Sequence, residues 1–537
     1  MNGRSRHLLV FPAIALLLLA ACGALSQKGG SVPPSDGCVA AGRLATIYPD
    51  YVNVVIPPNI APLNFRIEEP GCRYHVRIRS EQGRPIQISS RSDQIRIPAR
   101  QWRALLAKNR GGKVSVDVYV QTEDKESGAS KGQPLWRQFS SFTNDIAADD
   151  IDRYLVYRRI HPAHSVWKEM GIYQRDLSTF DESVVLQNRS IAGGCLNCHT
   201  FCANRPDVML LSSRSAEYGS AAVINDNGKI RKVGTKFGYT AWHPSGRLVT
   251  YSVNQVVMFL HSADREVRDV MDLDSLLAYY VLGSEQVRTA GPLARKDRLE
   301  TYPSWSPDGK HLYFCSAART WEQRNFIPPS YDQVRYDLVR IAYDLEKDRW
   351  GELETVLAAQ ETGKSALLPR VSPDGRWLLF CMCDYGCFPV YQKSSDLYLI
   401  DLQAPPERAA DTRRRLDINS DESESWHSFS SNSRWIAFSS KRGTGLFTRT
   451  YLSYIDESGR AGKPILLPQK DPSHYDCCLW TYSVPELIAS PVRATGEKLA
   501  RVLRAPEAID VTMPITMATP NAGPASPPPE PYPLAHQ

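Results

Sequence analysis

Short stretches of alternating apolar and polar residues dominate the first third of the chain after residue 45. A period of two is typical of half-buried β-strands, and Pro or Gly residues separate the stretches. The clearest are residues 51–56, 74–78 and 114–120. One helix is predicted among them, over Pro98 to Asn109, because a proline suits the first turn and Trp102, Leu105 and Leu106 share one face. We therefore predict a β-sandwich-like domain over residues 45–149.

The next segment, residues 150–204, shows a different spacing. Ile151, Tyr154, Leu155 and Arg158 recur at helical intervals. We predict a short helical connector here, packed against the domain that follows.

A repeated turn organises residues 205–504. Each copy is a short polar turn followed directly by an apolar strand, as in Trp305-Ser306-Pro307-Asp308-Gly309-Lys310 before residues 311–316. The four copies begin at His243, Ser306, Ser372 and Ser430, so they are 63, 66 and 58 residues apart. A four-stranded propeller blade needs about 40 to 45 residues, so loops are inserted. With residues 208–234 and 477–502 as end blades, we predict six blades, five or seven being the alternatives.

The two ends of the chain carry export and tail signals. Arg4 and Arg6 precede an apolar run that ends Leu19-Ala20-Ala21-Cys22. The run is too short to span a bilayer, so residues 1–21 are predicted to be a signal peptide. The Leu-Ala-Ala-Cys ending resembles a bacterial lipobox, which implies a lipid on Cys22 and a tether over residues 22–44. An ordinary signal peptide is the alternative. Residues 505–537 are rich in proline and are predicted to be a disordered tail.

Composition narrows the functional classes. Lys and Arg exceed Asp and Glu by a net charge of only +6, and no dense basic stripe is present, so nucleic-acid binding has no electrostatic support. Phosphate-binding loops and the common hydrolase motifs are also missing from the sequence.

The motif with defined chemistry is Cys195-Leu196-Asn197-Cys198-His199. The spacing C-x-x-C-H is that of c-type haem attachment, in which two thiols bond the haem vinyl groups and the adjacent imidazole binds the iron. A thioredoxin-like C-x-x-C lacks its βαβ context here, and a zinc knuckle lacks a second ligand pair. We predict one covalent haem c held by Cys195, Cys198 and His199.

The second axial ligand of this haem is left open by the sequence. His243 stands where the other repeated turns have Ser, so we predict it as the distal ligand. The alternatives are His261, Met209, Met170 or an open site. Candidate partners for the haem propionates are Arg158, Arg159, Arg175 and Arg214.

The repeated turns resemble the Ser-Pro-Asp-Gly-Lys repeats of TolB-like, WD40-like β-propellers. With C-x-x-C-H ahead of them, the chain from about Tyr48 to Leu487 resembles exported TolB-like propeller proteins that carry one c-type haem. Residues 57–65 and 170–175 belong to the same resemblance. It implies a mainly β fold and a haem, and it brings no known reaction.

The remaining cysteines add a further open question. Cys381, Cys383 and Cys387 with Cys477 and Cys478 form either loop disulfides, which we favour, or a metal cluster.

Taken together, the sequence predicts a lipid-anchored monohaem c-type cytochrome on the periplasmic side of the outer membrane, with the cell surface and the inner membrane as alternatives. Its expected partner is a redox protein or a quinol-linked chain, and only the lipid would contact the membrane. The alternatives are a haem-dependent oxidoreductase with an open distal site, and a TolB-like protein-binding module with a structural haem.

Overall fold

The N-terminal domain is built from ten strands and one helix. The computed structural model of the chain describes residue 33 and residues 38–122, 135–162, 169–235, 237–262, 266–284, 286–323 and 326–509. The elements of the domain are β1 Val39–Leu44, β2 Ile47–Tyr48, β3 Val55–Ile56, β4 Phe65–Ile67, β5 Arg73–Ser80, β6 Ile86–Ser90, β7 Gln94–Ile95, α1 Ala99–Lys108, β8 Lys113–Thr122, β9 Leu135–Ser140 and β10 Phe142–Ile146.

Two sheets form this domain. β1, β9, β8, β10 and β3 lie side by side, with β5 paired to β8 and β6 to β5, and β2, β4 and β7 form a separate three-stranded sheet. The predicted helix is confirmed, because α1 begins directly after Pro98 and buries Trp102, Leu105 and Leu106. Of the predicted strand over residues 51–56, only Val55 and Ile56 pair in a sheet.

Six four-stranded sheets follow, and they are the blades of a β-propeller, as predicted. The first blade begins with β11 Tyr154–Ile160, β12 Gly171–Asp176 and β13 Glu182–Gln187. Blade 2 contains β14 Cys195–Cys202, β15 Arg205–Ser215, β16 Gly219–Asp226 and β17 Lys229–Val233, and blade 3 contains β18 Thr240–Trp242, β19 Leu248–Leu260, β20 Arg268–Val281 and β21 Val287–Arg288. Blade 4 contains β22 Arg298–Trp305, β23 His311–Ala318, β24 Asp337–Asp344 and β25 Arg349–Leu357, and blade 5 contains β26 Ser365–Val371, β27 Trp377–Cys383, β28 Asp396–Asp401 and β29 Arg414–Arg415. Blade 6 contains β30 Glu424–Phe429, β31 Trp435–Ser440, β32 Arg449–Tyr454 and β33 Ile465–Leu466. The last strand is β34 Thr481–Ile488, and the short helices α2 and α3 span Ala359–Thr362 and Gly496–Arg504.

The propeller is closed by its two chain ends. β34 pairs with β11 and becomes the innermost strand of blade 1, so that blade contains three strands from the start of the propeller and one from its end. Residues 477–502 therefore supply one strand of a blade, whereas the sequence predicted a whole end blade.

The prediction of a helical connector over residues 150–204 is wrong. This segment consists of β11, β12, β13, a single 3-10 turn over Asn188–Ile191, and β14. β11 lies between β34 and β12 and is buried on both faces, so its apolar residues do not alternate, and a few of them fall by chance at helical spacing. The propeller thus begins at Tyr154 rather than near residue 205.

The repeated turns join the first and second strands of their blades. In the blade of β22 and β23, the Ser306 hydroxyl donates to Asp308 and accepts from the His311 amide, and Gly309 has φ of 72°. Ser372 and Asp374 repeat this arrangement, as do Ser430 and Asn432. Small hydroxyl and carboxamide or carboxylate side chains thus satisfy the backbone of a tight turn.

The chain beyond β34 stays on the propeller as far as it is described. α3 is capped by Thr495, whose side chain accepts from the Lys498 amide, and Ile509 forms a bridge with Val233. The predicted signal peptide, Cys22, most of the tether and residues 510–537 lie outside the described residues. The end of the predicted tether is instead strand β1, so the N-terminal domain begins at Val39 rather than at residue 45. Across the part that is described, no helix is long and apolar enough to cross a bilayer.

Candidate functional site

The C-x-x-C-H motif lies in β14, the innermost strand of blade 2. Asn197 pairs with Ser212 and Thr200 pairs with Leu210, so β14 has one residue more than its partner between these pairs. This is a β-bulge, and Cys198 and His199 occupy it.

The same bulge recurs in other inner strands. β22, β26 and β30 each contain one extra residue just before the repeated turn. Counting back three positions from the first residue of each turn gives Pro303, Pro369 and His427, and the same count from Cys202 gives His199. His199 therefore stands at a position where two other blades have proline, and the end of the C-x-x-C-H motif is the blade-2 copy of a structural repeat.

His199 is buried at this position and makes no close hydrogen bond. Its side chain is 2% exposed, it lies beside the backbone of Val156 and Val484, and neither ring nitrogen makes a hydrogen bond of ordinary geometry. Burial and the nearby Arg158 guanidinium lower the pKa of His199 to about 3. The imidazole is therefore neutral at pH 7, which is the form that binds a metal ion.

His427 shows what a satisfied histidine at this position looks like. It is also buried, and burial lowers its pKa to about 3. Its Nε2 lies 3.2 Å from the carbonyl oxygen of Leu379 and its Nδ1 lies 3.7 Å from the Cys381 sulfur. Most buried polar atoms are paired, so His199, with both ring nitrogens lacking a close partner, has both open to a ligand.

Cys195 and His199 open onto neighbouring small cavities. A cavity of about 60 Å³ is lined by Cys195 and Arg214, and one of about 40 Å³ is lined by His199 and Tyr302. Asn197 and Tyr239 line both cavities, so these two side chains separate them.

The donor set fits a c-type haem. The buried thiol of Cys195 and the neutral imidazole of His199 face adjoining spaces within one motif. Haem c attachment uses two thiols and one imidazole, and the sequence supplies the second thiol at Cys198. One water occupies about 30 Å³ in the liquid, so each cavity has room for only one or two waters. Both cavities are therefore much smaller than a haem, and the side chains between them, Tyr239 in particular, would have to move for a haem to bind.

His243 is not available as the predicted distal ligand. Its Nδ1 lies 2.7 Å from the Ser245 hydroxyl, and its Nε2 lies 3.1 Å from the carbonyl oxygen of Gly309 in the next blade. A neutral imidazole has one donor and one acceptor, and both are used here. This histidine links two adjacent turns and packs against Trp305, at 4.7 Å between ring centres.

The other three candidates also lie outside the cavity of His199. His261 pairs with Asp269 at 3.1 Å on a long hairpin of blade 3, and Met209 packs in the apolar core between blades 1 and 2. Met170 comes nearest the motif, because its sulfur accepts a hydrogen bond of 3.1 Å from the Leu196 amide. None of the four predicted residues thus lines the space that His199 faces.

Two of the predicted propionate partners lie beside the motif. Arg158 donates to the side chains of Asn197 and Ser483, and Arg214 lies 3.8 Å from the Cys195 sulfur. Arg159 instead pairs with Glu182, and Arg175 donates to the carbonyl oxygen of Pro468.

The structure supports neither the disulfides nor the metal cluster predicted for the cysteines of residues 381–387 and 477–478. The ten cysteines whose side chains are described all carry free thiols, and Cys381, Cys383 and Cys387 are buried. Burial raises the pKa of Cys383 to about 12, so its thiol is protonated at neutral pH. The favoured loop disulfides are therefore not formed in this structure. Among the described residues, no group of three or more His, Cys, Asp or Glu side chains could hold a metal ion.

Sequence reasoning missed a larger cavity on the propeller axis. This cavity measures about 320 Å³ and is lined by residues from all six inner strands, including Arg370 and Glu486. Arg370 also lines the cavity of His199, so the two spaces are neighbours along the axis. The sequence repeat contains a signal for this cavity, because the residue two positions before the first residue of each repeated turn lines it.

The comparisons with known proteins concern the fold. TolB from Acinetobacter baumannii matches 73% of this chain and 85% of its own, with 14% identity and a TM-score of 0.39. Puromycin hydrolase matches 58% of this chain and 45% of its own, at 17% identity and a TM-score of 0.33. Kuenenia stuttgartiensis hydrazine synthase matches 63% of this chain and 46% of its own, at 11% identity and a TM-score of 0.38. No family model and no curated protein matches the sequence.

Proposed function

We propose that the protein is a monohaem c-type cytochrome of the bacterial cell envelope, in which the haem is attached within a propeller blade. The observation that carries the proposal is His199, which ends a C-x-x-C-H motif and is buried with no close hydrogen bond to either ring nitrogen. Cys195 and Cys198 would hold the group by thioether bonds, and His199 would bind the iron. When bound, such a group supplies reversible one-electron transfer.

The chain's own residues prepare this site in two ways. The low pKa of His199 keeps its ring unprotonated, so no proton competes with a metal for the lone pair. Tyr239, Tyr302 and Trp426 crowd the axis beside it, with ring centres 4.2 to 6.1 Å apart, and limit the access of water.

The proposed location follows from the start of the chain. Export to the periplasm and a lipid on Cys22 would place the propeller at a membrane surface, within reach of a redox partner protein or a quinol-linked chain. The part of the predicted tether ahead of β1, residues 22–38, would leave the folded part free to turn toward that partner.

One observation favours the second candidate, a haem-dependent oxidoreductase. None of the four predicted distal ligands lines the cavity of His199, and the larger axial cavity lies next to it. An open coordination site beside a pocket is what ligand chemistry requires, whereas an electron carrier has two axial ligands. Addition of carbon monoxide to the reduced protein separates the two, because only an open site changes its absorption spectrum.

The test of the haem uses matched cysteine variants of the exported protein. Cys195→Ser combined with Cys198→Ser should abolish haem that survives acid–acetone extraction and gives a pyridine haemochrome spectrum. Cys202→Ser is the control, since its buried thiol lies in the same strand and contacts His243 and Pro244 instead. Freely extractable haem in the wild type, or equal loss in the control, would refute covalent attachment at the motif.

A further inference from the structure

The axial cavity has the layout of a small-molecule site. Six side chains, one from each inner strand, form a ring around the axis, namely Thr200, Ala241, Ser304, Arg370, Ser428 and Glu486. Five of them stand two positions before the first residue of a turn, so the repeat itself builds the ring. Four aromatic residues line the cavity next to it, namely Phe201, Trp242, Trp305 and Phe429.

The cavity thus has its polar side chains in one ring, and the aromatic residues form an apolar wall next to that ring. Binding pockets for small ligands commonly have about 300 to 1,000 Å³ of volume, apolar walls and a few placed polar groups. At about 320 Å³ the cavity lies at the lower end of that range. A ligand of some ten to fifteen heavy atoms is therefore the size to consider.

The charges of the ring narrow the chemistry of the ligand. Arg370 and Glu486 are the charged residues among the described residues that line the cavity, and their side chains are 29% and 10% exposed. Their closest approach, Nη2 to Oε1, is 3.5 Å, which is a loose contact for a guanidinium and a carboxylate. Both groups therefore keep hydrogen-bonding capacity for something else in the cavity.

We propose that this cavity binds a small zwitterion, of the size and chemistry of an α-amino acid with an apolar side chain. The ligand's carboxylate pairs with Arg370, its ammonium group pairs with Glu486, and its apolar part packs against the aromatic walls. The hydroxyl groups of Thr200, Ser304 and Ser428 complete the polar ring.

Electroneutrality is the reason to prefer a zwitterion over a simple ion. With Arg370 and Glu486 both charged, the cavity is neutral, so a lone anion or cation would leave one uncompensated buried charge. A zwitterion adds no net charge, and it gives Arg370 and Glu486 each a group of opposite charge. The proposal concerns a different set of residues from the haem motif and does not require the haem.

The test compares the affinities of three ligands that share a phenyl ring and differ in the charged groups that they carry. Isothermal titration of the mature full-length protein at pH 8 uses L-phenylalanine, 3-phenylpropionate, which lacks the ammonium group, and 2-phenylethylamine, which lacks the carboxylate. Burial raises the pKa of Glu486 to about 7, so pH 8 keeps its carboxylate ionised. L-Phenylalanine should bind at least about tenfold more tightly than either of the others.

Two variants then assign the charges. Glu486→Gln should remove the advantage of L-phenylalanine over 3-phenylpropionate, and Arg370→Gln should remove its advantage over 2-phenylethylamine. Arg247→Gln is the control, because it changes an exposed arginine of a neighbouring turn that pairs with Glu346. Urea unfolding checks that each variant is folded. If a variant does not fold, the comparison of the three ligands in the wild type still tests the proposal.

Three results would overturn the proposal. They are no binding of L-phenylalanine at millimolar concentration, equal binding of the three ligands, or the same loss in Arg247→Gln as in the ring variants. Haem content is measured on the same samples, so failure of the haem proposal is recognised separately from failure of this one.

Discussion

At the scale of single residues, the contrast between His199 and His427 carries most of the argument. Both histidines occupy the same bulge position, both are buried, and burial lowers both pKa values to about 3. Only His427 makes a hydrogen bond of ordinary geometry, whereas the nitrogens of His199 have only the more distant backbone of Val156 and Val484. The sequence identified His199 by its motif, but it gave no sign that His427 repeats the position, because the turn at Cys202 lacks the proline and glycine of the other turns and was not recognised as a copy of the repeat.

These depressed pKa values make the fold sensitive to acid. In the unfolded chain each histidine binds a proton near pH 6.5, whereas in the folded chain it stays neutral until about pH 3. Stability is therefore complete above pH 6.5 and is lost as the pH falls toward 3. His427→Gln should lose about 2 kcal/mol less stability than the wild type between pH 7 and pH 5, as measured by urea unfolding. An identical loss in both proteins would contradict the assignment.

The structural role of His243 leads to a second prediction. His243→Ala removes one buried and one part-buried hydrogen bond and leaves the Gly309 carbonyl without its partner, so it should cost about 1 to 3 kcal/mol of unfolding free energy. The absorption spectrum of the haem should stay the same, because both ring nitrogens are used within the turns. A shift toward a high-spin spectrum would instead restore His243 as an iron ligand.

At the scale of elements, the blades differ in how far they could be predicted. The turns at Ser306 and Ser372 carry Pro, Asp and Gly, so their blades are visible in the sequence. Residues 208–234 were predicted as an end blade, and they hold most of three strands of blade 2. The inner strand β14 was missed because the turn after it, Cys202-Ala203-Asn204-Arg205, has neither proline nor glycine. Blade 1 was hidden because its strands come from both ends of the propeller, and a pairing between distant segments leaves no local pattern.

The closing strand also defines a test of the architecture. Ile488 of β34 is fully buried in the core shared by blades 1 and 2, so Ile488→Ala should cost about 2 to 5 kcal/mol. Val184→Ala is the control in the outer strand of the same blade, where the side chain is 44% exposed and the cost should stay within about 0.5 kcal/mol. Equal costs in chemical denaturation would show that β34 does not close blade 1.

At the scale of the whole molecule, the propeller brings its chemistry to one axis. All six inner strands contribute to the axial cavity, and the C-x-x-C-H motif lies in one of these strands. The sequence identified the motif and the propeller separately, as neighbours along the chain. That the motif lies inside a blade, and that Arg370 and Glu486 meet beside it, depends on pairings over more than a hundred residues, which composition and spacing do not encode.

The envelope location is a prediction about the whole protein. If Cys22 carries a lipid, the wild type should partition into the detergent phase of a Triton X-114 extraction, and Cys22→Ser should move it to the aqueous phase. Recovery of the wild type in the aqueous phase would mean that the lipobox interpretation is wrong. The haem prediction would be unaffected, because export alone supplies the compartment for haem attachment.

The central claim, that His199 is a metal ligand on the propeller axis, is tested most directly by absorption spectroscopy of His199→Ala beside His427→Gln. We expect the haem that remains attached in His199→Ala to show a displaced Soret band that added imidazole moves back toward the wild-type position. His427→Gln should match the wild type. A wild-type spectrum in His199→Ala, with no response to imidazole, would contradict the account.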